Sequence, residues 1–353
     1  MIRIAYVINS VEGGGAALPV PSVADVLRGG GAEVTILALT RRDGRAIAPM
    51  AAAGLEVRVR DGGERDHAAA VRWLNDEIVA LKPTHIWTSL TRATLLGQLV
   101  GLRRRIPVVS WQHAAYLKPA NRRLLRLMQP LSKLWIGDSE AVTTLTAERL
   151  KVPPERLLQW PIFRADPHAP QSAPWRPGEP VRIGSLGRLH PVKGYDVLVD
   201  ALALLPPGTT PHTVTIVGDG AERAALETRA GDRVKFAGYS DDPRRMLAGL
   251  HLYVQPSRSE GLCVAAHEAM QAGLPVIASA VGQLPYSIAQ GESGLTVPPG
   301  NPRALADALA ALLAAPERLG AMGERARRDV LERFGSARFE AAGLAILDRL
   351  RGL

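Results

Sequence analysis

Short apolar runs alternate with amphipathic stretches along this chain, and the alternation pauses once. In the first half, residues 2–8, 34–39, 55–59, 85–88, 107–111 and 134–136 read as strands. Residues 68–81 and 90–102 between them carry helical spacing of apolar positions. That rhythm predicts a parallel sheet with crossover helices. The pause is at 164–180, which holds Pro167, Pro170, Pro174, Pro177 and Pro180. So many prolines forbid regular structure, and 166–180 is expected to be a stiff linker between domains over 1–165 and 181–335. The rhythm resumes with strands at 181–186, 214–217, 234–236, 252–255 and 275–278, and helices over 303–314, 317–333 and 337–350 close it.

The predicted fold class is therefore α/β with two Rossmann-like domains. Open parallel sheets bind ligands at the carboxyl ends of their strands. Two such edges facing across a cleft would make that cleft the expected site.

Composition narrows the picture. A length of 353 residues suits two domains, and 46% hydrophobic with 22% charged residues is that of a soluble globular protein. Cys263 is the single cysteine, which excludes an internal disulfide and fits a reducing cytoplasm. A first strand beginning at Ile2 leaves no room for a signal peptide, and no apolar run reaches the ~18–20 residues of a spanning helix. A cytoplasmic location is the expectation. The net charge of +9 is sorted: residues 1–165 hold 23 Lys+Arg against 14 Asp+Glu, and the remainder 20 against 20. No acid lies between Glu77 and Asp138, a stretch carrying ten basic residues, Arg103, Arg104, Arg105, Lys118, Arg122, Arg123, Arg126 and Lys133 among them. Such a face meets phosphate, nucleic acid or an anionic membrane. No aromatic stacking module accompanies it, which argues against nucleic acid.

Four places carry candidate chemistry. Ser259-Glu260-Gly261-Leu262-Cys263 follows a strand and opens a helix that holds Glu268 among Val264, Ala265, Ala269 and Met270. Carboxylates suit sugar hydroxyls, because each oxygen accepts hydrogen bonds and two adjacent hydroxyls can be gripped at once. From spacing alone, Glu260 could equally serve the helix dipole and Glu268 a solvated face. Cys263, at the same helix start, is either a thiolate-prone probe of the pocket or a buried, inert thiol. Second, Arg188 and Lys193 sit five apart after a strand, in a glycine-bearing turn able to place cations and backbone N–H groups on a diphosphate. They could also be ordinary surface charge. Third, Gly13, Gly14 and Gly15 follow the first strand, where missing side chains let backbone approach a ligand. The run is not GxGxxG, and no acid ends the second strand, which counts against a dehydrogenase. Fourth, His113 stands just past a strand end, suited to proton transfer or to a structural hydrogen bond. No cluster has metal-ligand spacing and no Asp-x-Asp occurs.

In this order and spacing the motifs resemble those of the retaining GT-B glycosyltransferases of the group-1 class, glycosyltransferase family 4. The landmarks are Gly187-Arg188-Leu189, Lys193-Gly194, Val217-Gly218-Asp219-Gly220, Phe236-Ala237-Gly238, Pro256-Ser257, Ser259-Glu260-Gly261, Glu268-Ala269-Met270, Gly273-Leu274-Pro275-Val276 and Gly294-Leu295. The resemblance spans the chain and is sharpest from Gly184 to Pro299. It implies that Glu268 holds the nucleotide ribose and that Glu260, with Gly261 and Leu262, meets the donor sugar. Arg188 and Lys193 would neutralise the diphosphate, Gly14 and Gly15 would admit the donor and acceptor, and His113 would lie by the reacting sugar. It also implies an acceptor-side first domain, a closing helix over 336–353 packed back on it, and no cofactor or metal. The substrates would be a UDP- or GDP-sugar and a glycan or lipid-linked acceptor. Two departures bear on donor identity. Val281-Gly282-Gln283-Leu284-Pro285-Tyr286 stands where Gly-Gly-x-Pro-Glu is usual, and Pro161-Ile162-Phe163 where Pro-Asn-Gly is usual. Rival readings are a nucleotide-sugar epimerase of the same fold and a non-catalytic relative.

The acid-free stretch ends in a short amphipathic segment. Leu124, Leu127, Met128 and Leu131 recur at helical spacing, flanked by Arg122, Arg123, Arg126 and Lys133, with Pro130 ending the helix. These leucines either pack inward or lie on an anionic leaflet, where Lys118 and the arginines would form the acceptor face.

Overall fold

A computed structural model describes residues 1–353. The chain divides into two compact units, Met1–Arg164 with Ala337–Leu353, and Ala165–Ser336.

In the first unit the elements run β1 (Ile2–Ile8), α1 (Val20–Gly29), β2 (Ala32–Ala38), α2 (Ile47–Ala52), β3 (Glu56–Val59), α3 (His67–Leu81) and β4 (His85–Ser89). They continue with α4 (Thr91–Arg104), β5 (Val108–Gln112), α5 (Pro119–Met128), β6 (Ser132–Gly137), α6 (Glu140–Leu150) and β7 (Leu157–Gln159). All seven strands pair in parallel in the order β3-β2-β1-β4-β5-β6-β7. The reversal of order beside β1 is the switch point that opens a crevice at the strand ends. One face of the sheet is aliphatic, with Ala5, Val7, Leu37, Ile86 and Val108 packed against α3 and α4. The other is aromatic: Trp111 stacks on Trp160 at 5.1 Å, and Trp87 meets both edge-on.

The second unit follows with β8 (Val181–Leu186), α7 (Tyr195–Ala203), β9 (His212–Val217), α8 (Arg223–Ala230), β10 (Lys235–Gly238), α9 (Pro243–Ala248) and β11 (Leu252–Gln255). Then come α10 (Val264–Gln271), β12 (Val276–Ser279), α11 (Leu284–Ser287), β13 (Gly294–Val297), α12 (Pro302–Leu313) and α13 (Leu319–Phe334). Its six parallel strands are ordered β10-β9-β8-β11-β12-β13. Valine, leucine and isoleucine from β8, β9, β11, α7 and α12 make one continuous core.

The last helix, α14 (Ser336–Arg351), returns to the first unit. Phe339 packs on Trp160 at 5.3 Å, and Gly343 lets the helix axis approach that indole, since a Cβ there would collide with it. Arg349 and Arg351 donate to the carbonyls of Glu155 and Gly30 at 2.8 and 2.7 Å. The proline-rich stretch forms no helix or strand, as its composition requires, but it clusters with the second unit. Ser172 N–H donates to Ala272 O at 2.8 Å, and Asp166 N–H to the buried Gln271 side chain at 2.7 Å. Its prolines are thus tied down on one side.

Candidate functional site

In the second unit β8 and β11 are neighbours, so the loops that leave their carboxyl ends lie side by side. Several contacts join them. Arg258 N–H donates to Val192 O at 2.8 Å, and the Arg258 guanidinium forks onto Asp196 at 2.7 and 2.6 Å. Gly194, at φ +66, abuts Pro256 O so closely that any Cβ would strike it. A glycine is required there by both conformation and contact.

The joined loops bring Lys193 to Glu260. Lys193 Nζ donates to Glu260 Oε1 at 2.7 Å, with the two side chains 23% and 10% exposed. Burial works against the Lys193 ammonium, but Glu260 outweighs it and leaves the net shift upward. Lys193 therefore stays charged at neutral pH. Arg188, at the exposed start of the same loop, stands beside it in sequence but not in that ion pair. From the other side, Gln283 N–H donates to Gly261 O at 2.9 Å, and Gly282 at φ +56 presses on the carbonyls of Glu260 and Gly261. The segment that departs from the usual motif thus buttresses the Glu260 loop.

Glu268 rides α10 one turn further on. It is half-buried, and no side chain of the protein hydrogen-bonds its carboxylate. Burial raises it from 4.5 to about 6, and Arg244 on α9 partly offsets the rise. Beside α9 lies a cavity of about 460 Å3, lined by Arg182, Ser185, Thr215, Asp242 and Arg245 among others. His267, the neighbour of Glu268, turns inward. It bonds Cys263 O and Ser287 Oγ at 2.9 Å each, and burial lowers it to about 4, so it is neutral and structural.

Cys263 is not a reactive thiol. It is buried, and burial, reinforced by Glu260 and opposed by Lys193, pushes its ionisation upward. Its burial favours the inert-thiol reading of the sequence. Its φ of +66 is a conformation that favours glycine.

In the first unit His113 lies at the end of β5, 7% exposed. Its Nε2 is 2.8 Å from Ser89 Oγ at the end of β4, and its Nδ1 is 3.4 Å from Asp138 Oδ2 just past β6. Nε2 is thus hydrogen-bonded, while the buried Nδ1 faces Asp138 without a hydrogen bond, an arrangement only tertiary structure reveals. The glycine run is held from below: Gly13 N–H donates to Asp43 Oδ1 at 2.9 Å, and Arg42 bridges Glu12 and Glu64. A Cβ on Gly14 would meet nothing nearer than Glu12 Cγ at 4.0 Å, so the protein's own packing does not demand a glycine there. On α5 the buried leucine is Leu125, whereas Leu124 and Leu127 are exposed, Leu127 by 77%. The stripe expected over Leu124, Leu127, Met128 and Leu131 therefore does not seat the helix, because its inward face is set one residue later by the cluster of Leu125, Trp135, Leu150 and Val152. Lys118, Arg122, Arg123, Arg126 and Lys133 are all exposed.

Sequence reasoning gave no role to Gln255, Ser257 and Asp138, which lie against Glu260 or His113. The available signal was polarity at strand ends: a glutamine closing the otherwise apolar β11 and an aspartate closing β6.

Residues 171–329 match the family model described as Glycosyl transferases group 1. The lipopolysaccharide core biosynthesis mannosyltransferase LpcC of Rhizobium leguminosarum bv. viciae is 29% identical over 256 residues, covering 68% of this chain and 69% of that protein. The 2-deoxystreptamine glucosyltransferase of Streptomyces kanamyceticus is 28% identical over 302 residues, covering 78% and 77%. The crystal structure of Anabaena Alr3699/HepE in complex with UDP-glucose superposes with a TM-score of 0.84 at 22% identity, covering 99% of this chain and 100% of that one.

Proposed function

We propose that the chain, whose residues 171–329 match the group 1 glycosyltransferase model and whose fold is GT-B, is a retaining, metal-independent hexosyltransferase of glycosyltransferase family 4 with a UDP- or GDP-sugar donor. The observation that carries the donor site is the pairing of Lys193 with Glu260 beside a desolvated Glu268 that the protein leaves without a hydrogen-bond donor. A half-buried carboxylate with no internal partner is costly unless a ligand supplies one. Ribose hydroxyls are such donors. On α9, Arg244 acts electrostatically on Glu268, and the next residue, Arg245, lines the cavity. Lys193 and Arg188 supply fixed positive charge for the departing diphosphate, the part a divalent ion plays elsewhere. Glu260, with Gly261 and Leu262, faces the donor sugar. His113, Gly14 and Gly15 serve the first unit's share of the reaction.

The acceptor reading is a glycan or lipid-linked sugar. Relatives include a lipopolysaccharide core biosynthesis mannosyltransferase and a 2-deoxystreptamine glucosyltransferase, and the surface favours a lipid-linked acceptor. Leu124 and Leu127 on α5 stand exposed among Arg122, Arg123 and Arg126. On the neighbouring α4, Leu95 packs against the α5 cluster, and Leu99 and Leu102 continue its stripe into solvent, ending at Arg103, Arg104 and Arg105. Exposed leucines ringed by arginines suit an anionic leaflet, each basic residue contributing roughly 1 kcal/mol. No helix is long and apolar enough to cross a membrane.

A thermal-shift screen with UDP, GDP, UDP-glucose and GDP-mannose tests the donor site, since a ligand bound only by the folded state raises its melting temperature. One nucleotide diphosphate should stabilise wild type and lose most of that effect in Lys193→Ala. No response to any of them would refute the assignment.

A further inference from the structure

The polar residues beneath Glu260 are buried far more completely than Glu260 itself. Tyr253, Gln255 and Ser257 are all fully buried, in a central strand and the turn after it, where apolar side chains would be ordinary. They form one continuous chain of hydrogen bonds. The Leu186 N–H donates to Tyr253 Oη at 3.2 Å, at the exit of β8 into the Arg188–Lys193 loop. Tyr253 Oη donates to Gln255 Oε1 at 2.8 Å. Gln255 Nε2 donates to Ser257 Oγ at 2.8 Å and reaches Glu260 Oε1 at 3.3 Å. Ser257 Oγ donates to Glu260 Oε1 at 2.6 Å.

Glu260 Oε1 thus takes Lys193, Ser257 and Gln255 together, three donors on one oxygen. An oxygen so occupied has no lone pair left for a sugar hydroxyl. The other oxygen, Oε2, must then carry any contact with substrate, and its direction is set by how Oε1 is held. We propose that Gln255 and Ser257 are positioning residues that lock the Glu260 carboxylate, so that Oε2 alone is presented to the donor sugar, and that Tyr253 ties this lock to the backbone of the diphosphate loop. A fully satisfied buried network is rigid, and a catalytic carboxylate gains from rigidity that a flexible loop cannot supply. The amide of Gln255 is well chosen for this work: its oxygen accepts from Tyr253 while its NH2 has two protons, one for Ser257 and one for Glu260.

This inference rests on Glu260 acting at the donor sugar, and the test separates the two claims. The readouts are release of nucleotide diphosphate from the donor that the thermal screen selects, UDP-glucose or GDP-mannose, and the Kd for the nucleotide diphosphate itself. Gln255→Met keeps the side-chain length and removes both donors. It should lower kcat about tenfold or more, as expected for a charged group losing a good hydrogen bond, while the Kd stays within about twofold. Ser257→Ala should behave alike and Ser257→Thr, which keeps the hydroxyl, should recover most of the rate. In a Glu260→Gln background Gln255→Met should cost nothing further, because residues that act through one group are not additive. An additive loss, a Kd that rises in step with the fall in kcat, or a wild-type rate in both Gln255→Met and Ser257→Ala would overturn the lock. If Gln255→Met fails to fold, the Ser257 series decides alone on the same criteria. A Glu260→Gln variant with wild-type turnover would overturn the donor-sugar role of Glu260 itself, and the lock with it.

Discussion

Replacing Glu268 with glutamine should make the empty protein more stable and the liganded protein weaker. Burial raises the Glu268 carboxyl from 4.5 to about 6. Below pH 4.5 the group is protonated in both folded and unfolded chains and costs nothing. As the pH climbs through 6 the folded state must carry a desolvated charge that the unfolded state carries in water, so stability is lost over that window. The full difference corresponds to about 2 kcal/mol at 1.36 kcal/mol per pH unit. The side chain is only half-buried, so the realised gain from Glu268→Gln is nearer 1 kcal/mol, or about 2–4 °C in Tm for a unit of this size. The assay is a thermal melt of both proteins from pH 5 to 8.5, with and without UDP and GDP. Without nucleotide the variant should melt higher at pH 7.5 and converge on wild type towards pH 5. With nucleotide the order should reverse, because an amide accepts fewer hydrogen bonds from two hydroxyls than a carboxylate. A variant that melts lower at pH 7.5, or a difference that ignores pH, would refute the burial argument. An unaltered nucleotide effect would refute the ribose role.

Lys193→Ala should do the opposite to the empty protein, losing about 2–3 kcal/mol, because it strands the Glu260 carboxylate among buried neighbours; equal melting of variant and wild type would show the pair to be solvated. Cys263 should resist iodoacetamide at pH 8 in the native protein and react once unfolded, whether or not nucleotide is present. Rapid labelling of the folded chain would contradict its burial and raised ionisation. Wild-type protein should sediment with anionic but not neutral vesicles and be released by salt. The triple change Arg122→Ser, Arg123→Ser, Arg126→Ser should weaken that binding without altering nucleotide affinity, and equal partitioning of the two proteins would leave those arginines as ordinary surface.

The strands with uninterrupted apolar character were legible to the residue: β1, β8 and β11 fall where 2–8, 181–186 and 252–255 were read. Pro130 marks the end of α5 as expected, since regular α-helix stops at Met128. Two strands escaped. β7 is three residues, Leu157–Gln159, and β13 opens on Gly294, so neither offers enough apolar repeat to stand out. Whether the α5 stripe faces inward or outward was left open, because four leucines in eight positions fit two faces and only the packing partners choose between them. At the site, Glu260, Glu268, Arg188 and Lys193 were visible through motif spacing. Their electrostatics were not. That Lys193 is committed to Glu260, that Glu268 lacks a partner and that Cys263 is buried are consequences of two loops meeting in space. Gln255 shows the limit best. A glutamine closing an apolar strand reads as a strand end facing water, yet it is fully buried, with the partners that make burial affordable 2, 2 and 5 residues away in sequence.

The central claim is transfer of a sugar from a nucleotide sugar with retention and without metal. NMR of the product answers it directly. With EDTA present, the protein, its selected α-linked nucleotide sugar and an array of glycan and lipid-linked acceptors should yield one equivalent of nucleotide diphosphate per new glycosidic bond. That bond should keep the α configuration of the donor. An inverted β bond, turnover only when a divalent ion is restored, or an isomerised nucleotide sugar formed with no acceptor present would contradict the account.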